Sequence, residues 1–344
     1  MLDKEIRVGV VGAGNSAVES HIPRFQSIDG VEVVSVANRT PESSQRVADR
    51  LGIPTVYDYW PDLIDAADTN AIFIGTWPYL HKPMTIAALE AGKHVLCQSR
   101  MAMDAQEAHD MLEASLERPN LVTGLVPTSK LAAGRPQIMQ LLSDGWFGEL
   151  LAIDLVSGSD FIDRDSQFFW RQDRDVSGFN AVEVGMFGES LASVLGPFAS
   201  VMSLTRLNVP QRKDSTGKRR IVTMPDHVEI IGEMVNGAPY HLRTSQVTGL
   251  ADNGLWLFGS EGTLRADTYA AQLYGAKKGD TELREIPTSV SKDPVDDIAA
   301  EFVNAIREER PIEQVSFADG VKYMEFTEAV SRSAQTGETV HLPL

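Results

Sequence analysis

Gly12, Gly14 and Ala17 stand between the apolar run that begins at Ile6 and a segment of helical periodicity running roughly from Ser16 to Ile28. This spacing fits the G-x-G-x-x-G/A turn between a buried parallel strand and a helix. The chemistry of such a turn is the holding of a pyrophosphate. Gly12 permits the tight turn, Gly14 lets the backbone approach the phosphates, and Ala17 keeps the helix close to its strand. The free N–H groups at the helix start, with Asn15 among them, then face negative charge. About 20 residues beyond the glycines a dinucleotide fold expects an acid for the ribose hydroxyls. Here the strand Val31 to Ala37 runs instead into Asn38-Arg39-Thr40. A neutral Asn38 removes the repulsion an acid would exert on a 2′-phosphate, and Arg39 can pair with that phosphate. The residues therefore point to NADP ahead of NAD, the alternative being that Arg39 is a solvated residue at a helix start.

The elements that must position these groups alternate. A helix near Ser43 to Leu51, a short strand around Thr55 to Tyr57 and a helix from Pro61 to Ala67 precede the strand Ala71 to Gly75. That strand delivers Thr76, Trp77 and His81 beyond its carboxyl end, where ligands of open α/β sheets sit. A helix from Pro83 to Ala91, a strand from His94 to Cys97 ending at Gln98, a helix from Ala105 to Leu116 and a strand from Leu121 to Val126 complete the pattern. This predicts a doubly wound parallel Rossmann sheet over residues 1–126. Residues 127–344 carry β-branched runs with few helices between them, which predicts an α+β domain with a large, mainly antiparallel sheet. Its runs are Leu150 to Ser157, Phe198 to Leu207, His227 to Met234, Tyr240 to Val247, Trp256 to Phe258 and Gly262 to Ala266, with closing helices at Pro294 to Arg307 and Phe317 to Ser333. An uncovered face on that sheet predicts a homodimer or higher homo-oligomer. The basic run Arg212 to Arg220 reads as a solvated loop.

The 344 residues suffice for two cores, and a formal net charge of -17 argues against nucleic-acid binding. No stretch approaches about 18 consecutive apolar residues, so no membrane span is expected. The N-terminus shows no basic segment followed by an apolar core. With Cys97 as the single cysteine, a reducing cytoplasm is the expected location. No histidine or cysteine pair shows metal-ligand spacing.

Gly12 and Gly14, His81, the run Ala91 to Cys97, the run Gly259 to Leu264 and Phe317-Ala318-Asp319-Gly320 occur in an order that resembles the Gfo/Idh/MocA oxidoreductases from end to end. The resemblance implies a Rossmann domain bearing NAD or NADP, a mixed domain whose sheet often forms subunit contacts, and oxidation or reduction of sugar or cyclitol hydroxyls. Two departures stand out. Where the family carries Glu-Lys-Pro this chain has Gln98-Ser99-Arg100, and where it carries an Asp and, four residues on, a His, this chain has Glu183 and Phe187.

Hydride transfer from a carbinol needs a base near the hydroxyl. Glu183 is the first candidate, read as sharing a helix face with Asn180 and Phe187; pairing with Arg100 or Arg171 is its alternative. Lys130 follows the strand Leu121 to Val126 and is either a replacement for the missing lysine or an exposed loop residue. His81 titrates in the useful range, or else caps the following helix as a structural residue. Arg100 suits a substrate carboxylate or phosphate, while Trp170, Arg171 and Asn180 suit the walls of a sugar site. The function so read is an NAD(P)-dependent oxidoreductase acting on a sugar, polyol or related hydroxy or keto compound. Loss of the usual lysine and histidine keeps open a lyase, hydrolase or epimerase with retained cofactor, or an inactive cofactor-binding protein.

Overall fold

Buried β-branched and aliphatic runs require partners on both faces, and the chain supplies them in two separate units, residues 1–127 with 294–321 and residues 128–293 with 322–344. The computed structural model describes residues 5–128, 131, 134–267, 272–288, 294–313 and 315–344.

In the first unit β1 (Ile6–Val11), β2 (Val31–Ala37), β3 (Thr55–Val56), β4 (Ala71–Ile74), β5 (His94–Cys97) and β6 (Thr123–Leu125) form a parallel sheet in the order β3-β2-β1-β4-β5-β6. Val8, Val10, Ile72, Phe73 and Leu96 are fully buried in it. The strand order reverses between β1 and β4, so their carboxyl ends diverge and open a crevice there. The helix after the glycine turn widens over Ala17–His21, immediately before Pro23, a residue with no N–H to give an ordinary helical turn.

The helix Pro294–Glu308, placed by sequence in the second domain, belongs to the first unit. Its Ile298, Phe302, Val303 and Ile306 enter the same core as β1 and β2, with Phe302 edge-on to Phe25 at 6.4 Å. Helical periodicity identifies a buried face without saying which core receives it.

The second unit is built on a nine-stranded sheet. In chain order its strands are β7 (Leu150–Gly158), β8 (Phe198–Arg206), β11 (His227–Met234), β12 (Pro239–Ser245), β13 (Gly254–Gly259), β14 (Gly262–Ala266), β15 (Leu273–Lys277), β16 (Arg284–Ile286) and β17 (Val340–His341). The spatial order is β16-β15-β14-β13-β7-β12-β11-β8-β17, antiparallel throughout except for the parallel pair β7 and β12. The basic run read as a loop is a hairpin, β9 (Gln211–Lys213) with β10 (Arg219–Ile221), in which Arg212 is buried. One sheet face packs Leu155, Val228, Leu242 and Leu257 against Phe187, Leu191 and Phe326. On the other face Met202, Leu204 and Ile231 are exposed. Among the described residues no helix is long and apolar enough to cross a membrane.

His21, on the widened helix, is buried against Phe73 with ring centroids 5.1 Å apart. Burial, helped by the charge of Arg24, pushes its pKa down to about 4. The unfolded chain therefore binds the proton first on acidification. The stabilisation is complete above pH 6.5 and is lost as pH falls towards 4. Denaturant titrations across that window should show a loss of about 3 kcal/mol attributable to this residue. A His21→Leu variant should lack that component; equal pH slopes for the two proteins would refute it.

Candidate dinucleotide site

The glycine turn is fixed by its own backbone. Gly12 N–H donates to Ala37 O at 2.9 Å, Gly14 N–H to Gly12 O at 2.9 Å, and Val18 N–H to Gly14 O at 3.0 Å. Gly12 has φ +83°, and a Cβ there would lie 2.5 Å from Thr76 Cγ2 and 2.6 Å from Thr76 N. Glycine is required at this position by conformation and by space. At Gly14 a Cβ would meet nothing within 4 Å, because the residue faces an open cleft. The cleft has a volume of about 1420 Å³, its solvent-open part included, and the first-turn N–H groups of the helix have no intrahelical acceptors. A cradle of this shape fits a dinucleotide's diphosphate.

Asn38 plays a part its position alone does not reveal. Its Oδ1 accepts the Ala13 N–H at 2.7 Å, its own N–H donates to Ser44 Oγ at 2.8 Å, and Nδ2 donates to Ser43 O at 3.3 Å. The carboxamide thus ties the turn to the following helix, Pro41–Leu51. Thr40 caps that helix, its hydroxyl accepting the Ser43 N–H at 3.3 Å. Arg39 lies exposed with its guanidinium 5.6 Å from the Trp77 ring centre. Gly12, Gly14, Asn38, Arg39, Thr40, Thr76 and Trp77 all line the one cleft. So do Ser43, Arg46, Asp58, Tyr59 and Trp60, which the sequence reading missed. A signal for two of them was present: Thr40, Ser43 and Arg46 recur at three-residue intervals along one helix.

Asn15, Ala17, His81 and Gln98 do not line the cleft. Asn15 is exposed at the helix start, and Ala17 is buried in the core between helix and sheet. Gln98 is half-buried and donates its N–H to Ile74 O at 2.8 Å. His81 is buried beneath the site. Its Nε2 meets Thr76 O at 3.0 Å, and its Nδ1 meets Arg100 O at 3.0 Å and Met101 O at 3.1 Å. Burial holds its pKa below the ordinary value, against the three carbonyls that favour the cation. The ring stands between the segments after β4 and β5. Arg100 is itself buried, 2% exposed, and its peptide with Ser99 is cis.

The other candidates lie in the second unit. The expected helix face of Asn180, Glu183 and Phe187 does not exist, because the helix starts at Val184 with Glu183 as its cap residue. Val182 at φ +43° precedes it in a turn, a conformation that helical spacing cannot anticipate. Asn180 is buried and donates through Nδ2 to Ser177 O at 2.6 Å. Phe187 is wholly within the apolar core. Glu183 is half-buried and accepts from Ser157 Oγ at 2.9 Å. Arg171 stacks over Trp170 at 4.3 Å, and burial lowers its pKa while the Glu183 carboxylate acts the other way. Lys130 lies outside the described residues. Among those described, no group of three or more His, Cys, Asp or Glu side chains could hold a metal.

Residues 6–124 match the oxidoreductase family with an NAD-binding Rossmann fold. The chain is 31% identical over 146 residues to 1,5-anhydro-D-fructose reductase of Ensifer adhaerens, which covers 42% of this chain and 43% of that protein. It is 25% identical over 226 residues to levoglucosan dehydrogenase of Pseudarthrobacter phenanthrenivorans, 62% of this chain and 57% of that one. This chain thus spans about half the length of these curated relatives. A solved levoglucosan dehydrogenase in complex with NADH and levoglucosan shares the fold at TM-score 0.86 and 21% identity, covering 98% of this chain and 100% of that one. The glycine turn and the strand order accord with that match, so over its Rossmann residues the chain is similar to the Gfo/Idh/MocA oxidoreductases.

Proposed function

We propose that the protein is a nicotinamide-dinucleotide-dependent oxidoreductase that interconverts a hydroxyl and a carbonyl on a carbohydrate or polyol. The cleft in front of Gly14 carries this reading, since it is open at Gly14, where a diphosphate would lie, while the turn is packed tight at Gly12. The sugar-acting relatives support the substrate class. The bound cofactor supplies the hydride chemistry, and the protein supplies orientation and proton transfer.

NADP is the preferred form in this reading. The end of β2 bears no carboxylate, Asn38 is committed to the turn, and Arg39 and Arg46 both border the cleft, with Asp58 the acid on the same rim. Fluorescence titration should give about tenfold or more tighter binding of NADPH than NADH. Replacing Arg39 and Arg46 together by alanine should remove the difference while leaving NADH affinity unchanged. Equal affinities in the unaltered protein would refute the preference.

Glu183 is assigned the proton of the reacting hydroxyl. It is held at a helix start by the Ser157 hydroxyl, and Phe187 in the core has no proton to exchange. Glu183→Gln should lower kcat by about 10²–10⁴-fold and flatten the pH profile, with cofactor affinity and melting temperature retained. Undiminished turnover would remove the assignment. The absence of a histidine at Phe187 and of a lysine at Ser99 favours a second reading, a lyase or epimerase that recycles a retained cofactor. In the same assay, stoichiometric release of reduced cofactor rules that reading out.

The exposed Met202, Leu204 and Ile231 on the outer sheet face are assigned to contact with a second copy of the chain. Light scattering should give a multiple of 37.7 kDa, and the double variant Leu204→Glu, Ile231→Glu should return a single-chain mass. A monomer before substitution refutes the contact.

A further inference from the structure

The outer face of the nine-stranded sheet carries charges among its apolar side chains. In register, Glu229 on β11 lies opposite Arg243 on β12, His241 opposite Asp154 on β7, Asp154 opposite Trp256 on β13, and Trp256 opposite Arg265 on β14. All six are half-buried, and each has a core residue beside it in its own strand, Ile230, Leu242, Leu155, Leu257 or Leu264, so all six stand on the face turned away from the core. Asp154 and His241 border one shallow depression there together with Met202 and Ile231.

Two of these charges are settled within the chain. Glu229 Oε2 meets His241 Nε2 at 2.8 Å and its Oε1 meets His227 Nε2 at 3.4 Å. Arg265 pairs with Asp252 at 2.6 Å and lies over the Trp256 ring at 5.8 Å. The other two are not. Among the described residues neither the Asp154 carboxylate nor the Arg243 guanidinium makes a hydrogen bond or an ion pair, and Arg243 Nε is buried with no acceptor. Glu229, although opposite Arg243 in register, makes its ion pairs with the two histidines and none with Arg243. Asp154 and Arg243 stand on adjacent strands two positions apart, since Arg243 lies opposite Val156.

One acid and one base left over on a single face complement that same face on a second copy, because in a two-fold contact residue i meets residue j and j meets i. We propose that the outer face docks on a second copy about a two-fold axis passing between Asp154 and Arg243, so that each Arg243 pairs with Asp154 of the partner subunit. A planar guanidinium fork on a carboxylate fixes register as well as adding attraction. Each chain carries a formal net charge of -17, so two copies repel at long range. A balanced acid and base beside the exposed Met202 and Ile231 mark a patch free of that repulsion. The inference rests on the self-contact proposed above for Met202, Leu204 and Ile231, and adds to it an axis, a register and a specificity-determining pair.

Sedimentation equilibrium on the full chain tests the pairing by charge reversal. Arg243→Asp sets carboxylates against each other across the axis, and Asp154→Arg sets guanidinium groups against each other; each should raise the dissociation constant of the dimer about tenfold or more. Mixing the two variants one to one should restore the original constant, because the mixed dimer regains both pairs, and the double variant Arg243→Asp, Asp154→Arg should restore it within one chain. Circular dichroism checks each fold. Where a reversal does not fold, Arg243→Gln and Asp154→Asn take its place, each weakening the dimer and the two together weakening it no more than either alone. Reversals that leave the constant unchanged, or that weaken the dimer without recovery on mixing, overturn the pair while the self-contact of the face stands. An unaltered protein that is a monomer at every concentration overturns both.

Discussion

The close approach of Gly12 to Thr76 is the constraint on which the first unit depends. With φ at +83° and Thr76 N only 2.6 Å from where a Cβ would be, the turn after β1 and the segment after β4 are locked together. Gly75 closes the contact from the other side, its own Cβ position lying 2.5 Å from Gly12 O. The two strands separate only beyond this lock, and that is where the cleft opens. The same contact fixes the direction of the helix start, because Gly14 O takes its first intrahelical bond two residues on from Gly12. A ligand site at a strand-order reversal is thereby held by backbone, which is stiffer than any side-chain arrangement.

Two polar side chains extend the lock. Asn38 carries it to β2 by accepting the Ala13 N–H, and His81 carries it to β5 by standing between Thr76 O and the carbonyls of Arg100 and Met101. Each joins segments distant in sequence, and each would leave buried backbone groups unsatisfied if replaced by an apolar residue. The polar rim of the cleft is different in kind. Arg39 is exposed and Thr40 is a helix cap, so the rim can vary in charge without disturbing the turn. Holding and discriminating are thus assigned to separate residues in this unit.

How far the sequence could be read followed from the range of the forces involved. The glycine turn, the order of parallel strands and the antiparallel character of the second sheet are local signals of spacing and periodicity, and they appear in the structure as read. What failed to be legible depends on contacts between distant segments. Asn38 was read by its charge, whereas its role comes from a hydrogen bond 25 residues back. The helix Pro294–Glu308 announces an apolar face in its pattern, but residues far away in the chain, Phe25 among them, determine that it completes the first core. Glu183 and Phe187 share a spacing that suits one helix face, and the left-handed Val182 begins that helix one residue too late for both to lie on it. Arg212 sits in a run of charges that reads as solvated, yet it is buried, its Nη1 donating to the carbonyls of Asp163 and Ser166 more than forty residues back.

That last case bears on how the second unit differs from the first. In the first unit the half-buried Asn38 and the buried His81 end on backbone groups, so their energy is spent on shape. In the second unit Arg212 also ends on backbone carbonyls, those of Asp163 and Ser166, but its buried Nε has no acceptor. Burial lowers the pKa of Arg171 while the Glu183 carboxylate acts the other way.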